Sequence, residues 1–280
     1  MRKTVVVDGS NLLFQMFYGM PARILGPQGQ PIQGTVGFVG ALLKILRCLR
    51  PTHVAVVFDG ECQNPRKALD ESYKSNRPDY SQIPPEDTPF SQLPDIFSAL
   101  ALLDIPWAET ECCEADDWLA GYAFQCAPED QLILVSQDSD LFQLIRPNVH
   151  IFRYRGDRST TCDEGYLRDR FGISPDQYAD FKSLTGDNAD NIKGAPGIGP
   201  KTAAALLQQF GSLEALLSQT HRVTRPAIRA SLEKSAGLLR KNRQLILLDG
   251  QVPLPFSPEQ MRWQDAGLTS TQVLRRLRLR

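Results

Sequence analysis

Acidic side chains occur in this sequence where predicted strands end and predicted helices begin. Asp8 and Asp59 each follow a β-branched run, and Asp138 and Asp140 follow a third run. Two further acidic clusters lie at residues 114–117 and 187–190, and the second has aspartates at i and i+3, a spacing that predicts neighbours on a helical turn. Carboxylates that converge without cations repel one another and raise each other's pKa values, so convergence would predict a bound cation. The nine candidates are Asp8, Asp59, Glu114, Asp116, Asp117, Asp138, Asp140, Asp187 and Asp190.

The cation that suits these ligands is a hard divalent ion. Mg²⁺ prefers oxygen ligands and often lies beside substrate phosphates. Two such ions about 3.5–4 Å apart stabilise both the attacking and the leaving oxygen of a phosphoryl displacement. The chain has six cysteines without a CxxC pair and only three histidines, which favours Mg²⁺ or Mn²⁺ over zinc as the bound ion. The cysteines are therefore expected to be reduced thiols that bind no metal. A single strand-end aspartate is often only a turn former, so the prediction depends on the whole set.

The apolar runs before the acids predict a parallel sheet. Residues 4–7, 53–58 and 132–136 are continuous and largely β-branched, and a helical pattern at residues 34–50 separates the first two. Such runs are typical of strands buried on both faces, and their alternation with helices predicts an α/β domain. Ligands of these sheets gather at the carboxyl ends of the strands, where the acids stand.

Two other stretches differ from this pattern. Residues 61–94 carry several basic side chains and a proline-rich part but lack a strong apolar stripe, so we expect a mobile, partly helical loop across the surface. A boundary is predicted near residues 172–175, and the pattern is helical beyond it, most clearly at residues 203–210 and 213–217.

A glycine-rich segment lies at residues 194–203, with the sequence GAPGIGPKTA. Pro200 separates the last glycine from Lys201 and no predicted strand precedes the segment, so we exclude a nucleotide-binding P-loop. A glycine hairpin before a helix instead exposes backbone N–H groups to a phosphate without reading base sequence, and Lys201 adds a positive charge. A plain turn between helices is the alternative.

Composition limits the class of protein. The chain has 280 residues, with 31 basic and 32 acidic side chains, so a strongly basic nucleic-acid binder is excluded and any such surface must be local. It has neither an apolar run of about 20 residues nor a signal-peptide pattern. We therefore expect a cytoplasmic protein without membrane association, and a monomer because no coiled-coil pattern or exposed apolar strip is present.

The motifs taken together resemble the bacterial 5′ nucleases, that is, the 5′→3′ exonuclease domain of DNA polymerase I and stand-alone flap endonucleases. The resemblance extends over about residues 3–255. It implies a PIN-like (resolvase-like) catalytic domain at residues 1–172, with a mobile basic arch at about 61–94. A helical DNA-binding domain at residues 173–280 would follow, with a helix-hairpin-helix element at about 186–210. The motifs that carry it are VDGSN at Asp8, FDG at Asp59, Arg66 with YK at Lys74 and RP at Arg77, EADD from Glu114, QDSDL at Asp138, TGDNADN at Asp187 and GIGPKT from Gly197.

The resemblance also implies an activity. Members of this family hydrolyse DNA phosphodiester bonds near a 5′ end or at a 5′ flap by a two-metal-ion mechanism, which serves primer or flap removal in replication and repair. It implies two Mg²⁺ ions, with Mn²⁺ as a substitute, and K⁺ at the hairpin. The expected partner is DNA with a 5′ end or flap, RNA–DNA hybrids are a further substrate, and the expected location is the bacterial cytosol or nucleoid.

Roles follow from the resemblance residue by residue. The first metal would be held by Asp8, Asp59, Glu114 and Asp116. The second would be held by Asp138, Asp140, Asp187 and Asp190, with Asp116 shared and Asp117 in a supporting position. The expected catalytic residues are Lys74, Arg77 and Asp116. The expected DNA contacts are Phe14, Arg66, Lys74, Arg77, Gly197, Gly199, Lys201 and Thr202.

Three positions depart from the family pattern. Phe14 stands where a tyrosine is frequent, Gln15 where polymerase I enzymes usually have arginine, and Asp70 where an apolar residue is common. These changes leave the acids intact and bear on substrate preference and DNA affinity. Two alternatives are a non-catalytic DNA-junction binder and a PIN-like ribonuclease. The complete acid set argues against the first, and the hairpin and basic arch argue against the second.

Overall fold

The computed structural model describes residues 2–60 and 65–279. A six-stranded sheet forms the centre of the first half, in the order β3-β2-β1-β4-β5-β6. The first five strands of this order run parallel, and β6 pairs antiparallel with β5, which confirms the predicted mostly parallel α/β sheet. The strands are β1 (Lys3–Asp8), β2 (His53–Phe58), β3 (Trp107–Glu109), β4 (Gln131–Val135), β5 (Val149–Arg153) and β6 (Thr160–Cys162).

Helices cover both faces of this sheet because successive strand residues point to opposite faces. Val5 and Val7 of β1 pack in one core with the helices at residues 9–19, 33–49 and 93–102. Val6 packs in the other core with the helix at residues 115–125 and with helices of the second half. Every strand of the sheet centre is therefore buried on both sides, as its continuous apolar run predicts. The helices of this half are α1 (Gly9–Gly19), α2 (Gln33–Leu49), α3 (Pro65–Leu69), α4 (Leu93–Leu102), α5 (Ala115–Gln125) and α6 (Glu164–Phe171).

The second half is helical apart from a two-stranded hairpin. The predicted helices at 203–210 and 213–217 are present as α8 and α9. The end of the chain returns to the first half, because Trp263 N donates to Thr52 O over 3.0 Å and Val273 shares the core of α2. The elements are α7 (Tyr178–Thr185), β7 (Gly186–Asp187), β8 (Ile192–Lys193), α8 (Pro200–Phe210), α9 (Leu213–Ser218), α10 (Pro226–Ile246) and α11 (Ser270–Arg276).

The basic segment is held more closely than its sequence suggests. Tyr73 is buried against Ile192 and Leu245, so an apolar contact fixes the middle of the segment. Asp70 forms an ion pair of 2.8 Å with Lys241 of α10, and that hydrogen bond, with others from the Ser72 region, lowers the pKa of Asp70 to about 2. Residues 61–64, where the predicted arch begins, lie outside the described residues.

The described residues contain no disulfide and no helix that is both long and apolar enough to cross a membrane. The sixth cysteine, Cys62, lies outside them. The free thiols include those of Cys48, Cys112, Cys126 and Cys162.

Candidate metal centre and nucleic-acid interface

The carboxyl edge of the sheet brings a first group of four aspartates together. Asp8 ends β1, Asp59 follows β2 and Asp138 follows β4, and these strands are neighbours that run in the same direction. Asp59 also accepts a hydrogen bond from Ala115 N over 2.9 Å, which fixes the start of α5 beside it. This contact brings Asp116, in the first turn of α5, to the same edge.

Hydrogen bonds from neighbouring residues orient the carboxylates of Asp8 and Asp138. Asp8 caps α1 by accepting from Asn11 N over 2.9 Å, and its second oxygen accepts from the Ser136 hydroxyl over 2.8 Å. Asp138 accepts from Asp140 N over 2.8 Å. The helix cap at Asp8 and the loop contact of Asp138 therefore orient both carboxylates.

The first group carries more negative charge than its surroundings neutralise. Burial, together with the charge of Asp59, raises the pKa of Asp8 to about 7. Burial and the charges of Asp138 and Asp8 raise the pKa of Asp116 well above its usual range, and burial also raises that of Asp138. Such shifts indicate that a cation would stabilise the ionised group.

A second group consists of Asp140, Asp187 and Asp190, whose carboxylate oxygens lie within 4.8 Å of one another. Burial and the charge of Asp138 raise the pKa of Asp140 to about 7. The Oδ1 atom of Asp140 is buried and accepts no hydrogen bond, although Lys182 Nζ lies 3.2 Å away. A buried carboxylate oxygen without a donor, beside two further carboxylates, fits a metal ligand.

The spacing of Asp187 and Asp190 predicts neighbours on a helical turn, and this prediction is wrong. Asp187 ends strand β7, and Asp190 lies in the turn before β8. The carboxylates still converge because a tight hairpin also brings residues i and i+3 together. Gly186 permits the entry to this hairpin, since its φ of 81° and its approach to Gly194 N exclude a side chain.

Lys182 belongs to this site, although the sequence distinguishes it from other basic residues of the second half only by position. Its ammonium pairs with Asp187 and lies near Asp140 and the Ser139 hydroxyl. Burial opposes the charge of Lys182, but the aspartates outweigh burial and raise its pKa. The only signal in the sequence is that it stands five residues before Asp187, on the helix that leads into the hairpin.

Glu114 is held by two basic residues of the arch. Its carboxylate forms ion pairs with Lys74 and Arg66. Burial alone would raise the pKa of Glu114, but these two cations outweigh burial and lower it. Lys74 is thus drawn to the edge of the first aspartate group, and only 10% of its side chain is exposed.

Asp117 and Arg66 form a buried pair beside these groups. Arg66 donates to both oxygens of Asp117, over 2.7 and 3.1 Å, and also to the carbonyls of Leu245 and Leu247 at the end of α10. Asp117 also accepts from Asp249 N over 2.9 Å. The structure therefore directs Asp117 to Arg66 and away from the aspartate groups. These contacts give Arg66 a structural role, and its predicted DNA contact stays a prediction.

Arg77 and Phe14 lie at the outer side of the site. Arg77 donates to Asp190 over 2.9 Å, yet 53% of its side chain is exposed. Phe14 is half-buried and packs edge-on against Tyr80 and Phe90.

The glycine hairpin precedes α8 as predicted. Gly199 caps the helix and Pro200 occupies its first turn, where a missing N–H costs nothing. A Cβ atom at Gly197 or Gly199 would meet no atom within 4 Å, so the hairpin surface is open, and Lys201 is exposed beside it. The Ser231 hydroxyl of α10 donates to Pro196 O over 2.7 Å and fixes the base of the hairpin.

The raised carboxyl pKa values predict how stability depends on pH without divalent ions. Asp8 and Asp140 have pKa values of about 7 in the folded chain, against about 4 for an unfolded chain. The folded state therefore binds more protons between these values, so its free energy of unfolding falls as the pH rises. We expect the Tm in EDTA to fall from about pH 5 to about pH 8, and millimolar Mg²⁺ to reverse most of the fall. A Tm in EDTA that stays constant over this interval would contradict the repulsion.

Comparison with known proteins agrees with this architecture. Residues 3–172 match the model of the 5′-3′ exonuclease N-terminal resolvase-like domain, and residues 173–268 match that of the 5′-3′ exonuclease C-terminal SAM fold. DNA polymerase I of Rhizobium leguminosarum is 37% identical over 257 residues, which are 89% of this chain and 25% of the polymerase. The thermostable DNA polymerase I of Thermus aquaticus is 34% identical over 253 residues, 90% of this chain and 29% of that protein. The chain thus spans less than a third of these relatives.

Solved structures share the fold at lower identity. The T5 5′-exonuclease with bound zinc ions has a TM-score of 0.72 at 22% identity, covering 89% of this chain and 90% of that one. A bacteriophage T5 flap endonuclease in a pseudo-enzyme-product complex with DNA and metal ions has a TM-score of 0.71 at 24% identity, covering 89% of each chain. These likenesses support the fold, and the two family models decide the assignment: the chain belongs to the 5′-3′ exonuclease family.

Proposed function

We propose that this chain hydrolyses DNA phosphodiester bonds near 5′ ends and at 5′ flap junctions, with two divalent ions. The observation that carries the proposal is the pair of adjacent carboxylate groups at one sheet edge, one with Asp8 and Asp116 and the other with Asp140. Their raised pKa values and the Asp140 oxygen without a hydrogen bond fit a site built for cations. Mg²⁺ is the proposed ion, with Mn²⁺ as a substitute, because every candidate ligand is an oxygen.

The protein residues have distinct parts in this reaction. Bound at the two groups, the ions would supply an activated water and stabilise charge on the leaving oxygen. Lys74 and Arg77 would hold the scissile phosphate, since both already lie on carboxylates at the edge where it must arrive. A preorganised cation aimed at developing charge stabilises a transition state more than a mobile one. The Phe14 ring would stack on an unpaired base.

DNA is the proposed partner, and primer or flap removal in replication and repair is the proposed task. The solved complexes of the T5 flap endonuclease with DNA and of human GEN1 with Holliday junction DNA support this substrate class. We include RNA–DNA hybrids as substrates, a monomeric state, and K⁺ at the glycine hairpin in the proposal.

A duplex with a labelled 5′ flap tests the function. We expect cleavage at the junction in Mg²⁺ or Mn²⁺ and none in EDTA, with products sized on a denaturing gel. Release of mononucleotides alone would support nuclease activity but would show exonucleolytic cleavage in place of cleavage at the flap junction. Binding without cleavage in either ion would support the junction-binding alternative, and cleavage of single-stranded RNA in place of DNA would support the ribonuclease.

Lys201 provides a separate test of the hairpin. We expect Lys201→Ala to weaken binding and to reduce the slope of log affinity against log salt by about 0.9, the value for one duplex phosphate contact. Lys44→Ala, an exposed lysine of α2, is the charge-matched control and should leave the slope unchanged. An unchanged slope in Lys201→Ala would remove the hairpin from the interface.

A further inference from the structure

A basic hairpin tip projects from the same sheet edge as the aspartates. The segment at residues 154–159 joins β5 to β6 and is called here the hairpin tip. Strand β5 runs parallel to β4, so its carboxyl end and the tip lie on the side of the sheet where Asp138 follows β4. Arg155 and Arg158 are exposed on the tip, and Asp157 is its single acid.

The tip is fixed to the loop that follows β4 through Gln137, the residue before Asp138. The Gln137 side chain donates to Tyr154 O over 2.8 Å and accepts from Arg155 Nε over 3.1 Å. Its own carbonyl accepts from Arg153 Nη2 over 2.8 Å. These three bonds define the position of the tip relative to the aspartates.

Helix α1 holds the tip from the other side. Gln15 donates to the same Tyr154 carbonyl over 2.8 Å, so this oxygen accepts from two glutamines. Within the tip, the Ser159 hydroxyl accepts from Arg155 N over 2.9 Å and donates to Gly156 O, which closes the turn. The tip is therefore an ordered turn, with the Arg155 side chain held on Gln137 and Arg158 carried by the same turn.

In the described part of the chain, no ion pair engages Arg155 or Arg158, whereas Lys74, Arg77 and Lys182 all pair with site carboxylates. An ordered, exposed guanidinium beside a phosphate-cleaving edge suits a phosphate, because arginine presents several donors in a planar fork.

We propose that Arg155 and Arg158 of the hairpin tip bind backbone phosphates of the nucleic acid that lies across the carboxyl edge of the sheet. This inference rests on the proposed nuclease function and extends its interface to a surface that neither the arch nor the glycine hairpin includes. The contact is to phosphate, without base specificity. It would set the affinity for the strand next to the site.

The test measures binding of a 5′ flap duplex in Ca²⁺ over a range of salt concentrations. The double variant Arg155→Ala/Arg158→Ala should bind about tenfold to a hundredfold more weakly at about 0.1 M salt, and its salt slope should fall by about 1.8 for two duplex contacts or about 1.4 for two single-strand contacts. A duplex without the flap distinguishes the two kinds of contact. If the arginines bind only the flap strand, the double variant and the wild type should have the same salt slope on this duplex. Arg168→Ala/Arg170→Ala, two exposed arginines of α6, is the charge-matched control.

A second variant changes the charge in the opposite direction. Asp157→Asn leaves both arginines in place and should tighten binding and steepen the slope, an effect that an unfolded tip cannot produce. Wild-type slopes in both variants on both substrates would overturn the inference. Wild-type protein that cuts no substrate in Mg²⁺ or Mn²⁺ would instead overturn the proposed function, so the two failures are distinguishable.

Discussion

Asp116→Asn is expected to reduce single-turnover cleavage of a flap duplex by at least about a thousandfold, which corresponds to about 4 kcal/mol of transition-state stabilisation. The amide keeps the volume of the side chain but removes one negative charge from the group of Asp8, Asp59 and Asp138. DNA binding should persist, because the substitution leaves the proposed phosphate contacts of the arch and the glycine hairpin unchanged. Asp169→Asn, an exposed residue of α6, is the matched control and should cut normally.

A second readout of the same variant separates charge from misfolding. Asp116 is repelled by its neighbours when no cation is bound, so its neutralisation should raise the Tm in EDTA at about pH 8. The variant would then be more stable and less active than the wild type. Full activity would remove Asp116 from the metal site, and a lower Tm in EDTA would contradict the proposed repulsion.

Arg66→Ala is expected to have the largest effect on stability. Only 9% of the Arg66 side chain is exposed, and its removal leaves the buried Asp117 carboxylate without its cation and two carbonyls of α10 without a donor. The loss of one partner of a buried ion pair costs about 3–5 kcal/mol, which lowers the Tm by roughly 10 °C in a chain of this size.

Arg77→Ala is the control for this second variant. Arg77 also pairs with an aspartate, but its side chain is half exposed, so its pair should contribute less than about 1 kcal/mol. Thermal unfolding of both variants in Mg²⁺ compares them directly. Equal losses of Tm would show that Arg66 does not join α3, α5 and the end of α10 as the structure indicates.

The sheet edge with Asp8, Asp59 and Asp138 could be predicted because two simple patterns agree there. Continuous β-branched runs are typical of buried parallel strands, and parallel neighbours place their carboxyl ends together. The turn at Asp187 and Asp190 could not be predicted in the same way. A spacing of three residues brings side chains together on a helix and across a tight hairpin alike, and the glycine contact that decides for the hairpin comes from Gly194.

The partners of the basic residues lay beyond sequence reasoning. In the sequence, Arg66, Lys74 and Lys182 resemble solvated surface residues. The carboxylates with which they form ion pairs lie between 5 and 51 positions away along the chain. The burial of Tyr73 fixes the middle of the arch against the second half of the chain. This contact helps to determine which of these cations face the aspartates and which are buried. Gln15 is a further case, since its partner is a backbone carbonyl of a hairpin far along the chain.

We propose above all that the two carboxylate groups hold two divalent ions on one edge of the sheet. Its most direct test counts Mn²⁺ ions by electron paramagnetic resonance in a titration of the protein bound to a product duplex. We expect two ions per chain for the wild type and one for Asp140→Asn/Asp187→Asn, because the first group remains intact in this variant. Fewer than two ions in the wild type at saturation, or two ions retained in the double variant, would contradict it.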